Sequence, residues 1–130
     1  MRVASGRAAG AASEQRSATF TGTVWADPVL PDADGVVVNT VLFEPGARTH
    51  WHTHDVGQIL VVESGEGWLQ SRGGDGSPLR AGDVAHIPAG EEHWHGAAPG
   101  AFLVHLAVSV GPTHWLEPVS DEDYGRAAGG

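Results

Sequence analysis

Three histidines alternate with other residues in the stretch Gly46-Ala-Arg-Thr-His-Trp-His-Thr-His-Asp-Val-Gly-Gln58. On a β-strand, residues two positions apart point to the same face of the sheet. His50, His52 and His54 would therefore form a line of imidazoles on one face. Such a line either binds a metal ion or consists of solvated polar side chains on the outside of a sheet.

A second segment adds a further histidine at fixed distances from glycine and proline. In the first segment, five residues separate Gly46 from His52, one separates His52 from His54, three separate His54 from Gln58, and six separate Gln58 from Gly65. In the second segment, five residues separate Gly82 from Pro88, one separates Pro88 from Gly90, and two separate Gly90 from His93. Each segment has the form of a strand followed by a turn. Together they fit one metal site between neighbouring strands of a barrel.

The rest of the chain is typical of a β-protein. Short β-branched runs alternate with turn signals such as Ser64-Gly65, and no long segment has the 3.6-residue apolar period of a helix. We expect a sandwich or small barrel, with helix only in fragments. The predicted strands are Thr21–Trp25, Val36–Phe43, Gln58–Val62, Trp68–Arg72, Val84–Ile87 and Ala101–Val110.

Composition narrows the possible functions. The 130 residues suffice for about one domain with a real core. A formal net charge of -9 disfavours nucleic-acid binding, because it would repel a phosphate backbone. The chain has no cysteine, so a metal would be held by imidazole, carboxylate or amide groups.

We expect residues 1–17 to be a flexible N-terminal segment, residues 18–120 to form the domain, and residues 121–130 to be an acidic and glycine-rich tail. The first segment lacks the apolar centre of a secretory signal. The sequence also has no apolar run of the roughly 20 residues that span a bilayer. We therefore expect a cytoplasmic protein that does not bind membranes.

The two segments resemble the paired motifs of the cupin superfamily, G-x5-H-x-H-x3-E-x6-G and G-x5-P-x-G-x2-H-x3-N. The resemblance covers residues 46–97 and implies a small antiparallel jelly-roll β-barrel with a metal inside. Glutamine stands where the family usually has glutamate, and Ala97 stands where it often has asparagine. The ligands that the resemblance implies are His52, His54, Gln58 and His93.

The glutamine has a chemical consequence. Three neutral imidazoles and an amide leave the full charge on a divalent ion, which makes it a stronger Lewis acid than a site with glutamate. The amide of Gln58 is not a general base, because it does not take up a proton as a carboxylate does. Mixed nitrogen and oxygen donors suit Mn, Fe, Ni, Co or Zn, and ligand type alone does not choose among them.

A narrower resemblance is to the small bacterial cupins with hydroxynitrile lyase activity. It implies a manganese or similar divalent ion near a cyanohydrin substrate, and a histidine on a later strand as the acid/base. The histidine at the matching position is His105. The stretches that carry the resemblance are Phe20–Val24, Phe43–Thr49, Trp51–His54, His93–Pro99 and His105–Ala107.

His105 lies in an apolar run, so the residues alone leave two readings open: a hydrogen-bonded core histidine, or an acid/base that faces a metal cavity. Burial beside a cation would lower its pKa and keep it neutral. Ser109 would share its face of the strand. We expect Ser109 to take part in substrate binding.

Three further residues are candidates for the substrate cavity. Asn39 and Val41 share one face of a predicted strand, where they would line the cavity by resemblance or form a buried strand with one hydrogen-bonded amide. His95 shares a face with His93 and would support the site or lie at the barrel mouth. His50 is a weaker candidate of the same kind.

Two alternatives to a lyase stay open. Other cupins are metal-dependent dioxygenases of the quercetinase or thiol-oxidising kind, and some cupin barrels bind a small ligand without catalysis, since fold does not fix function. In each case the partner is a small molecule. The resemblance also implies a homo-oligomer, a dimer or tetramer.

Overall fold

The computed structural model describes residues 1–6 and 12–129, and within these ranges the chain forms twelve strands and one helix. The elements are β1 (Glu14–Arg16), β2 (Phe20–Thr21), β3 (Val24–Ala33), β4 (Val36–Phe43), β5 (Arg48–Thr49), β6 (His52–His54), β7 (Gly57–Ser71), β8 (Gly76–Arg80), β9 (Val84–Pro88), β10 (His93–Ala97), β11 (Leu103–Val110), β12 (Thr113–Trp115) and α1 (Asp121–Gly129).

The strands form two antiparallel sheets that close into a barrel. The first sheet runs β1, β3, β4, β11, β7, β9, and the second runs β2, β5, β10, β7, β8. β6 pairs with β10 and with β12. The predicted all-β jelly-roll barrel is confirmed.

β7 belongs to both sheets because it bends in its middle, and the turn predicted at Ser64-Gly65 is therefore wrong. Gly65 has a φ of 83° and remains inside the strand. A Cβ at this position would lie 1.9 Å from the carbonyl oxygen of Phe102, so only glycine fits without a shift of the backbone. The glycine marks a bend between sheets instead of a strand end.

The other strand predictions agree closely with the structure. β4 coincides with the predicted run Val36–Phe43, and β9 and β11 lie at the expected positions. The run Thr21–Trp25 is divided, because β2 ends at Thr21 and β3 begins at Val24. Gly22 between them has a φ of 82°, which turns the chain from one sheet to the other.

The inward side chains form an apolar core and a group of buried polar residues beside it. The main buried apolar cluster contains Val24, Val41, Phe43, Ala47, Val62, Leu79, Ala97 and Leu103. A smaller cluster of Leu60, Ile87 and Ala107 lies further along the same inner surface. The buried polar residues that remain include five histidines.

The C-terminal residues form a helix that covers the outside of the second sheet. Ser120 begins it, because its Oγ accepts a hydrogen bond from the N–H of Asp123. Three acidic residues in the first turn favour the helix N-terminus. Tyr124, Ala127 and Ala128 pack against Trp51 and Trp94.

The chain ends therefore carry more structure than composition indicates. β1 lies within the segment expected to be flexible and pairs with β3. α1 occupies the expected tail. Residues 7–11 and 130, which also belong to those two segments, lie outside the described residues. Among residues 1–6 and 12–129, no helix is long and apolar enough to cross a membrane.

Replacing Tyr124 by phenylalanine tests how firmly α1 is held. Its hydroxyl donates a buried hydrogen bond of 2.7 Å to the carbonyl oxygen of Ala97 at the end of β10. We expect Tyr124→Phe to lower the free energy of unfolding by about 1–2 kcal/mol, because a buried carbonyl loses its donor. Urea denaturation measures this loss.

Arg126→Gln on the same helix is the matched control. Among the described residues, Arg126 pairs with Glu122 and Asp123 at the surface of the helix, and such pairs contribute little. We expect a change within about 0.5 kcal/mol. Equal losses in the two variants would show that the Tyr124 hydrogen bond does not hold the helix.

Candidate metal centre

Strands β6, β7 and β10 bring the four predicted metal ligands together inside the barrel. His52 and His54 lie two positions apart on β6, and His93 on β10 lies directly opposite His52. Gln58 follows near the start of β7. None of the four is more than 4% exposed.

The imidazoles are close enough to share one ion. The ring centroids of His52 and His93 lie 4.2 Å apart, and the ring of His54 lies 5.0 Å from the first and 5.5 Å from the second. The carboxamide Oε1 of Gln58 lies 2.9 Å from Nε2 of His93. The four donors thus surround one small volume.

Backbone carbonyls fix the proton position on two of the rings. Nδ1 of His52 donates to the carbonyl oxygen of His50 at 2.9 Å, and Nδ1 of His93 donates to that of Glu91 at 2.9 Å. A carbonyl has no proton to give, so each Nδ1 carries the hydrogen. In the neutral rings Nε2 therefore carries a lone pair, and it points towards the other predicted metal ligands.

The resulting arrangement fits a cation. Nε2 of neutral His93 and Oε1 of Gln58 are both acceptors, and at 2.9 Å they repel each other unless positive charge lies beside them. Nε2 of His54 is buried and has no hydrogen-bond partner among the described residues. Divalent transition metals bind sets of nitrogen and oxygen lone pairs that point at one volume, as these do.

His95 joins this cluster from β10. One ring nitrogen from each of His52, His93 and His95 lies within 4.8 Å of the others, so these three are also able to hold an ion. Nε2 of His95 is buried and without a partner within residues 1–6 and 12–129. We predicted His95 as a supporting residue of the cavity, and its geometry makes it a possible ligand as well.

Burial lowers the pKa of all these imidazoles and keeps them neutral. Loss of solvent lowers the pKa of His54 to about 4 and that of His52 to about 2, with the neighbouring His93 adding to both effects. Burial also lowers the pKa of His93. The pKa of His95 lies well below its usual value for the same reason. Neutral imidazole is the form that binds metals.

His105 lies behind His95 and does not line the cavity. Its Nε2 is 2.9 Å from Nδ1 of His95, and its ring packs 5.2 Å from the ring of Phe43. The side chain is fully buried, which lowers its pKa to about 4. His105 therefore reaches the cavity through the imidazole of His95.

The cavity itself has a volume of about 170 Å³ and opens next to the histidines. All four residues predicted for substrate binding, Asn39, Val41, His95 and Ser109, line it. Among the described residues that line it, none is an aspartate, glutamate, lysine or arginine. The remaining lining residues are Phe20, Val37, Phe43, Thr49, His52, His54, Gln58, Ala107, Gly111, Thr113 and Trp115.

Two hydroxyl groups on neighbouring strands contact the donors. Ser109 Oγ accepts a hydrogen bond of 3.1 Å from Nε2 of Gln58, and Thr113 Oγ1 lies 3.0 Å from Nδ1 of His54. The motif spacing did not point to Thr113, because it lies outside both segments. The sequence signal for this residue is a short run, Thr113, His114 and Trp115, that follows the turn glycine Gly111 and is typical of a strand.

Aromatic residues form the wall near the cavity entrance. The indole of Trp115 lies 4.6 Å from the ring of His52 at an interplanar angle of 35°, and Phe20 lies 5.8 Å from Trp115. We did not predict either residue as part of the site. Neither carries a motif signal, and only the pairing of β12 with β6 places Trp115 there.

The other histidines and tryptophans lie outside the cluster. His50 contributes its backbone carbonyl to His52, and its side chain does not line the cavity. His86 is exposed on β9, and His114 pairs with Asp55 at the surface. Trp51 and Trp94 alternate with the histidines and therefore pack outwards against α1, in the cluster formed by Val119, Tyr124, Ala127 and Ala128.

Comparisons with known proteins agree with this geometry. Residues 39–110 match the family model described as Cupin domain. The (R)-mandelonitrile lyase of Granulicella tundricola is 48% identical over 113 residues, which cover 82% of this chain and 86% of that protein.

Two solved structures are similar to this chain in fold and sequence. A cupin-like protein from Thermotoga maritima is 45% identical, with a TM-score of 0.86 over 89% of this chain and 93% of that chain. A predicted oxalate decarboxylase from the same organism is 25% identical, with a TM-score of 0.71 over 82% of this chain and 97% of that chain.

Because the buried histidines are neutral in the folded protein, we expect acid to lower the free energy of unfolding of the metal-free protein. In the unfolded chain, the imidazoles take up protons below their ordinary pKa of 6.5. In the folded chain, His54 and His105 take up protons only near pH 4. Stability is therefore complete above about pH 6.5 and falls as the pH falls towards 4. Each such imidazole contributes up to about 1.4 kcal/mol per pH unit.

Urea denaturation of chelator-treated protein at several pH values between 7.5 and 4.5 measures this dependence. We expect His105→Gln to make the slope shallower, because one buried imidazole is removed. His86→Gln, which changes an exposed histidine, is the matched control. A free energy of unfolding that does not change over this range would contradict the account.

Proposed function

The chain belongs to the cupin family, and from that premise we propose that it is a metal-dependent lyase that cleaves and forms cyanohydrins. The observation that carries the proposal is the cluster of buried acceptor atoms beside a small cavity. The 48% identity to a protein named (R)-mandelonitrile lyase supports the choice of reaction.

The proposed metal ligands are Nε2 of His52, His54 and His93 and Oε1 of Gln58. All four donors are neutral, so the site would leave the positive charge of a divalent cation almost uncompensated. When bound, that cation supplies Lewis-acid chemistry towards an oxygen of the substrate. Manganese is the proposed ion by family resemblance, and the same donors suit Fe, Ni, Co or Zn.

The cavity fits a small cyanohydrin because polar and apolar side chains both line it. The polar lining includes His95 and Ser109, beside the proposed ligands. The apolar lining includes Val41 and Phe43 on β4, the strand that pairs with β11, and Asn39 lies on β4 as well. We propose that the hydroxyl and nitrile groups contact the polar side chains and that the side chain of the substrate contacts the apolar ones.

His95 and His105 together accept the hydroxyl proton in this proposal. When Nδ1 of His95 donates to Nε2 of His105, Nε2 of His95 presents a lone pair to the cavity. A proton taken up there lets the Nδ1 proton pass to His105, so the two rings share the charge. His105 thus acts as the acid/base through His95.

The reaction then balances with these groups alone. The hydroxyl proton leaves to the histidine pair, the carbon–oxygen double bond forms, and the bond to the nitrile carbon breaks. Cyanide leaves with the bonding electrons and takes the proton back as hydrogen cyanide. Burial keeps both imidazoles neutral and able to begin this cycle.

Release of benzaldehyde from mandelonitrile at mildly acid pH tests the proposal. We expect turnover by the manganese-loaded protein, and its loss after removal of the metal with a chelator. His105→Ala should keep the metal and lower kcat about 100-fold or more, since general acid–base catalysis contributes this much. Absorbance of the aldehyde follows the reaction, and elemental analysis gives the metal content.

His86→Ala is the control, because His86 is exposed on β9 and is not among the residues that line the cavity. Its turnover should equal that of the unchanged protein. Loaded protein without turnover would overturn the lyase proposal, and turnover that His105→Ala leaves intact would overturn the role of His105.

A second copy of the chain is the partner that we propose for the outer face of the first sheet. Trp25, Ile59 and Val84 are 36–66% exposed and point away from the barrel interior. Exposed apolar residues gathered on one face are typical of an interface. The homo-oligomer would form by contact between two such faces.

Light scattering during size-exclusion chromatography measures the oligomeric state. We expect an assembly for the unchanged protein and a monomer for Ile59→Glu, because a charge would be buried in the interface. Phe102→Glu, at another exposed apolar position, should leave the mass unchanged. A monomer at micromolar concentration without any substitution would contradict this proposal.

A further inference from the structure

Ser109 is the hydrogen-bond partner of one proposed ligand. In the pairing of β11 with β7, Ser109 lies directly opposite Gln58. Its Oγ accepts a hydrogen bond of 3.1 Å from Nε2 of Gln58, while Oε1 of the same carboxamide lies 2.9 Å from Nε2 of His93. The NH₂ end of this buried amide is thus held by Ser109, while its oxygen end faces His93.

We propose that Ser109 is a positioning residue that aims the carboxamide oxygen of Gln58 at the histidine cluster. The proposal rests on the metal centre proposed above and does not depend on the lyase reaction. It assigns Ser109 a role towards the ligand Gln58, beyond its place in the cavity wall.

The need for such a residue comes from the chemistry of the amide. Its two ends have nearly the same shape, but only the oxygen has lone pairs for a cation. If the group turned over, its NH₂ would face the imidazoles and donate to them. Gln58 is 4% exposed, so its N–H groups need an acceptor, and Ser109 supplies one on the side away from His93.

The orientation of Gln58 depends on a side chain, whereas the orientation of two other proposed ligands depends on the backbone. The Nδ1 atoms of His52 and His93 donate to main-chain carbonyls, which a substitution leaves in place. The orientation of Gln58 is set by a hydroxyl that one substitution removes. Its orientation is therefore open to test.

Glutamate at position 58 would remove the need for orientation. Both ends of a carboxylate are oxygen, so turning the group over changes nothing for a cation. If Ser109 acts by orienting the amide, its loss should weaken metal binding with glutamine at this position and have little effect with glutamate. If Ser109 acts by packing alone, its loss should have the same effect in both.

The experiment is a double-mutant cycle on the dissociation constant of Mn²⁺. Competition with a chelator, or calorimetry, is applied to the unchanged protein, Ser109→Ala, Gln58→Glu and the double variant. We expect Ser109→Ala to weaken binding about 10-fold or more, the usual effect of losing a partner of a ligand. In the Gln58→Glu background we expect a change of less than about threefold.

Two further variants complete the design. Ser109→Thr keeps a hydroxyl and should restore most of the affinity. Ser77→Ala removes a hydroxyl from the exposed strand β8 and should leave the affinity unchanged. Circular dichroism of each variant verifies that the barrel is folded.

Three results would overturn the inference. Equal losses in the glutamine and glutamate backgrounds would assign Ser109 a packing role. An unchanged affinity in Ser109→Ala, with the unchanged protein binding Mn²⁺, would refute the inference alone and leave the metal centre in place. Absence of Mn²⁺ binding to the unchanged protein would refute both the inference and the manganese centre on which it rests, whatever the turnover.

Discussion

The structure depends on one constraint: several buried acceptor atoms point at a common volume inside the barrel. The carbonyl oxygens of His50 and Glu91 put the protons of His52 and His93 on the outward nitrogens. The inward nitrogens then face each other and the oxygen of Gln58. Such an arrangement is costly in a dry interior unless a cation binds there.

Strand alternation connects this cluster to the rest of the barrel. On β6 and β10 the histidines point inwards, and the tryptophans between or beside them point outwards. The outward side chains Trp51 and Trp94 are covered by α1, which Tyr124 ties to the end of β10. The same alternation on β11 places Ser109 opposite Gln58 and His105 behind His95. Interior chemistry and exterior packing therefore come from the same few strands.

Much of this was predictable, because a two-residue period and fixed glycine spacing are local properties of the sequence. They predicted a sandwich or small barrel and a metal site between two segments. The resemblance to the cupin motifs then implied the ligands His52, His54, Gln58 and His93, whose role stays a prediction. The sequence predicts a turn at Gly65 where the structure has a bend, since a glycine with positive φ serves either purpose. The helix α1 was missed although Ser120 and the acidic residues after it form an N-terminal signal.

The contacts that escaped prediction arise from pairing between distant strands. Trp115 reaches His52 only because β12 pairs with β6. His105 meets His95 beside a shift in the pairing of β11 with β7, and no sequence spacing encodes that meeting. The resemblance pointed to His105 as the acid/base, and the geometry adds that His95 stands between it and the cavity.

Anomalous diffraction from crystals grown with Mn²⁺ tests the central claim most directly. The account predicts one strong anomalous peak per chain, within bonding distance of His52, His54, Gln58 and His93, with the Gln58 oxygen turned towards it. A peak held instead by His52, His93 and His95 would contradict the proposed ligand set. A barrel without any peak among these residues would contradict the claim that the converging acceptors form a metal centre.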